Sequence, residues 1–168
     1  SSFLLRELEM PLIGLFAACS TMALSLGLAS LFVDSGAAKL TVAATSSHFC
    51  SAERQFRLPL ESGGQRTPTA QRTVTGAGAS VIAAHDESKP SVEAVTFGII
   101  KDLGIKDANN MGAAMAPAAA ATISSFFNDT AMAPEECDLI VTGDLGLVGT
   151  ELMKKKKKKD YNLDIASR

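Results

Sequence analysis

Cys19 is the residue of this chain whose type and place most suggest chemistry. It falls where an apolar run, Pro11 to Phe16, gives way to helix-compatible residues from Ser20 onward, which puts a thiol at a helix N-terminus. Unpaired N–H groups and the positive end of the helix dipole favour a thiolate there. The same geometry attracts carboxylates. Three roles compete for Cys19: covalent nucleophile, lining of an anion pocket, and a plain buried thiol, the common state of a free cysteine. A nucleophile needs a base within hydrogen-bond reach, and His48 and His85 are the two histidines available. His48 closes a strand and faces either a pocket or a structural partner, whereas His85 ends a strand beside a polar turn and is expected to be exposed. Arg54, Arg57, Arg66 and Arg72 gather four guanidinium groups in one loop region. Bidentate guanidinium groups suit carboxylate recognition; taken singly, each reads as a solubilising surface charge.

Other patterns carry less. Gly76 and Gly78 lack the third glycine and following helix of a dinucleotide loop, so close packing explains them better. Cys19, Cys50 and Cys137 are widely spaced and odd in number, which fits reduced thiols and neither a zinc site nor a redox pair. No metal or cofactor site is read. The formal charge of −2 offers no basic field for a nucleic acid. Lys154 to Lys159 reads as a solvated run, because like charges one helical turn apart repel. Arg6, Glu7 and Glu9 precede the apolar run, so no export signal is read. Met10 to Val33 is charge-free and long enough to span a bilayer, but Pro11, Gly14, Gly27 and four hydroxyl residues make a helix buried on all sides the better reading.

The elements that must position these residues follow from periodicity. With 46% hydrophobic and 20% charged residues over 168 positions, the chain suits one globular α/β core. Leu4 to Leu8 reads as a helix end and Pro11 to Phe16 as a buried strand. Met22, Leu26, Ala29 and Val33 recur near helical spacing, with Gly36 as the stop. Leu40 to Ala44 is a second strand. Cys50 to Arg72 is a long loop, of the kind that often carries function. Thr73 to Ala84 and Val92 to Ile100 read as an antiparallel pair about a turn at Asp86 to Pro90. Met111 to Phe127 is helical, Pro117 either starting or kinking it. Leu139 to Thr142 is a short buried strand, and a helix from Val148 runs into the lysines.

Several segments carry a family resemblance: GLFAACSTM from Gly14, AATSSHFCSAERQFR from Ala43, GGQRTPTA, TVTGAGA, GIKDANNMGAAMAPAAAATI and DLIVTGDLG. Taken in order over most of residues 1 to 153, they resemble the stage V sporulation protein AD family. That family is similar to the thiolase and ketoacyl-synthase superfamily, so the resemblance implies two βαβαβαββ halves in five αβαβα layers, present incompletely. Residues 1–88 would hold the later part of the first half and 89–168 the early part of the second, the chain being the central portion of the usual protein.

The resemblance places Cys19 at the superfamily's nucleophile position. Where condensing enzymes carry a histidine after the equivalent strand, this chain reads Thr142, Gly143 and Asp144. Glycine cannot polarise a thioester carbonyl, and aspartate repels developing negative charge. The implied activity is therefore non-catalytic binding of dipicolinate, alone or as its calcium chelate, for uptake into the developing spore. Cys19 and Ser20 would face a ligand carboxylate, supported by His48 and Arg54. The alternative is an acyltransferase with Cys19 as nucleophile. The resemblance further implies other stage V sporulation membrane proteins as partners, a homodimer by analogy, and a peripheral place at the cytoplasmic face of the spore inner membrane.

Overall fold

The computed structural model describes residues 2–50, 69, 71, 74–107, 109–160 and 166–167. These form a mixed α/β structure in two compact units, Ser1–Thr45 with Gly78–Ala84, and Ser46–Ala77 with His85–Arg168.

The first unit opens with a short helix, α1 (Ser2–Glu7), and contains α2 (Thr21–Asp34) and β1 (Leu40–Ser46), which pairs with β2 (Ala77–Ala83). Helix α2 ends as its sequence dictates. Gly36 takes φ +73, a left-handed value that glycine adopts without a Cβ clash. Around it Ser35 N donates to Leu31 O at 2.9 Å, Gly36 N to Val33 O at 3.0 Å and Ala38 N to Phe32 O at 3.0 Å, satisfying carbonyls the helix leaves open. Thr41 Oγ1 then donates to Ala29 O at 3.1 Å, tying the start of β1 back to the helix. Ala43, in the middle of β1, is buried.

Two expectations are corrected here. Pro11 to Phe16 forms no strand, and Leu12, Ile13 and Phe16 are exposed. An apolar run becomes a strand only where another strand takes up its backbone groups, and none does so among the described residues. Helix α2 is not buried on all sides either. It buries Ser25, Gly27 and Ala29 but leaves Leu31 and Phe32 exposed.

The second unit is organised by α3 (Met111–Thr130) and α4 (Gly146–Asp160). Asn110 caps α3, its side-chain oxygen accepting from Ala113 N at 3.3 Å. Pro117 lies inside the helix rather than at its start. Ala116 and Ala120 of α3 meet Leu145 and Met153 in the core of this unit, with Met115, Ala119, Ile123 and Ile140 packed around them. Small side chains let the helices approach closely, at a cost in apolar area per residue.

Between Leu139 and α4 lies β3 (Val141–Thr142), paired in parallel with β4 (Ala166–Ser167) through Val141 opposite Ala166. This stretch was expected to be buried; instead Leu139 and Val141 are exposed, because a two-residue pairing covers little of either strand. Val92 to Ile100 is the second misread strand. It has no regular secondary structure, and β2 pairs with β1 in its place. The expected turn at Asp86 is present: Ser88 N and Oγ donate to Asp86 Oδ1 at 3.0 and 2.7 Å, and Lys89 Nζ lies 3.3 Å from Asp86 Oδ2. Among the described residues no helix is long and apolar enough to cross a membrane.

Candidate functional site

The approach to α2 is built from a strained turn. Ala18 has φ +45, in the left-handed region that costs a residue with a Cβ about 1–2 kcal/mol. A single 3-10 turn, Ala18–Ser20, follows and presents Cys19 immediately before the helix. Besides the backbone bond from Ser20 N to Ala17 O at 2.9 Å, side-chain hydrogen bonds hold the bend. Ala17 N donates to Thr21 Oγ1 at 3.1 Å, Thr21 Oγ1 donates to Ala18 O at 2.8 Å, and Ser20 Oγ donates to Ala17 O at 2.8 Å.

The last bond has a consequence for the helix end. Ser20 is the N-cap residue of α2, yet its hydroxyl turns back to the preceding carbonyl and makes no cap bond. Of the first-turn amides of α2, that of Thr21 donates to Ala18 O, and no N-cap side chain takes up the others; Cys19 precedes the N-cap residue. Such an end offers N–H groups and a partial positive charge to an anion. Cys19 itself is exposed, which overturns the buried-thiol reading. The location at a helix mouth is as the sequence suggested; the strain at Ala18 was not readable, since alanine gives no signal for positive φ.

The remaining candidates are distributed. Cys19 and Ser20 belong to the first unit and His48 to the second, where it is exposed. His85 follows β2 and is exposed, as expected. Arg54, Arg57, Arg66 and Arg72 lie outside the described residues.

Gly143, which the resemblance would set where condensing enzymes carry a histidine, is exposed and supplies no side chain. Asp144 Oδ1 accepts from Gly146 N at 2.8 Å, so its carboxylate serves the start of α4. Gln71 Nε2 donates to Asp144 O at 2.5 Å and lies 3.1 Å from Met115 Sδ. Gln71 was missed as a site-shaping residue because a long-range amide contact leaves no periodic trace. The arrangement fixes the turn before α4 and places a carboxylate, not an imidazole, at its heart.

A separate apolar hollow of about 380 Å³ lies in the second unit, between Ile123, Phe126 and Phe127 of α3 and the stretch Cys137 to Val141. Phe126 and Phe127 meet edge to face with centroids 5.7 Å apart. Among the described residues no group of three or more His, Cys, Asp or Glu side chains is arranged to hold a metal ion.

Comparison with known proteins agrees with the motifs. The family model for Stage V sporulation protein AD matches residues 1–168. The chain is 46% identical over 160 residues to Stage V sporulation protein AD of Bacillus subtilis (strain 168), an alignment covering 95% of this chain and 47% of that protein. The chain therefore spans about half the length of this relative. With a match along its entire length and nearly half its residues shared with a member, the chain belongs to the stage V sporulation protein AD family.

Proposed function

We propose that the chain acts in sporulation by binding dipicolinate, free or as its calcium chelate, without catalysing a reaction on it. A sporulation role rests on the relative's name. The observation that carries the binding reading is the uncapped N-terminus of α2 next to Cys19: amides without a side-chain acceptor, at a strained and accessible turn, suit a ligand carboxylate. A pyridine dicarboxylate would set one carboxylate there, with Ser20 beside it. Calcium would arrive with the ligand. In this reading the five-layer thiolase-like arrangement belongs to the full-length family protein, peripheral at the cytoplasmic face of the spore inner membrane beside membrane-embedded stage V partners.

Acyl condensation is disfavoured by the Gly143–Asp144 turn. A carboxylate engaged in starting α4 neither donates a proton to an oxyanion nor tolerates one nearby. The exposed thiol of Cys19 nonetheless keeps an acyltransferase as the competing activity, and the two give different products.

Isothermal titration with dipicolinate, with and without Ca²⁺, on this chain and on the full-length Bacillus subtilis relative tests the reading. Saturable binding that weakens about tenfold in Cys19→Ala, with an unchanged circular dichroism spectrum, is expected. Absence of binding by both proteins would overturn it. A stable thioester on Cys19 after incubation with acyl-CoA, seen by intact mass, would replace it with the acyltransferase.

A further inference from the structure

We draw no further inference here: the strongest candidate, the lysine run at 154–159 that ends α4 with Lys154 and Lys155 exposed, has only its charge to suggest an anionic lipid surface, and such a contact restates the peripheral membrane place that the family resemblance already implies.

Discussion

Gly112 of α3 and Gly149 of α4 stand where the two helices meet backbone to backbone: a methyl group on Gly149 would lie 2.7 Å from the Gly112 Cα, and one on Gly112 would overlap the Leu145 carbonyl oxygen. Alanine in place of glycine ordinarily favours a helix by about 1 kcal/mol. Here the neighbour is main chain, which cannot rotate away, so overpacking by roughly 1–3 kcal/mol decides the sign. Gly149→Ala is expected to lower the urea midpoint by a net destabilisation of up to about 2 kcal/mol. Gly98→Ala is expected to cost less, because its neighbour is the Thr122 side chain, a rotor that can turn away.

That helix pair also shows how far the sequence could be read. Helices α2 and α3, strands β1 and β2 and the stop at Gly36 follow from local signals: spacing, apolar runs and a glycine. Strands that depend on distant partners do not. Pro11 to Phe16 and Val92 to Ile100 have the composition of buried strands but lack paired neighbours among the described residues, so the pattern alone overstates them. The site was legible to the same degree. Cys19 at a helix mouth follows from the junction of two patterns, whereas the left-handed Ala18 and the amide of Gln71 on Asp144 depend on tertiary packing that no window of sequence contains.

The turn before α4 rests on two hydrogen bonds whose loss should be measurable. Asp144→Ala removes the acceptor for Gly146 N and is expected to cost about 1 kcal/mol, as loss of a helix-start carboxylate generally does. Gln71→Ala removes the donor to Asp144 O and should cost about as much. Both are read by chemical denaturation.

The Asp86 turn gives a pH signature. Its carboxylate is held below the usual range, first by the Ser88 hydroxyl, then by the Ser88 N–H and by Lys89. A folded-state value below the unfolded one contributes stability that is present above the unfolded pKa, near 4, and is lost as pH falls through the folded value. Carboxyl chemical shifts of Asp86 should therefore titrate at lower pH than those of an unbonded aspartate. Ser88→Ala should return the midpoint toward the ordinary value, and an unchanged midpoint would show that the turn is not formed in solution.

Accessibility of the thiols tests the strained approach to α2. Cys19 and Cys50 are exposed while Cys137 is half-buried along the apolar hollow. Under native conditions iodoacetamide is expected to label Cys19 and Cys50 at similar rates and Cys137 several-fold more slowly, with the difference vanishing in denaturant, as peptide mass mapping would show. The comparison discriminates because a collapsed turn at Ala18 would bury Cys19 and slow it to the rate of Cys137. If the α2 mouth holds a dicarboxylate, saturating dipicolinate should slow labelling at Cys19 by about tenfold and leave Cys50 unaffected. Equal protection at both cysteines would instead mean a global tightening of the fold, and the local contact at Cys19 would have to be abandoned.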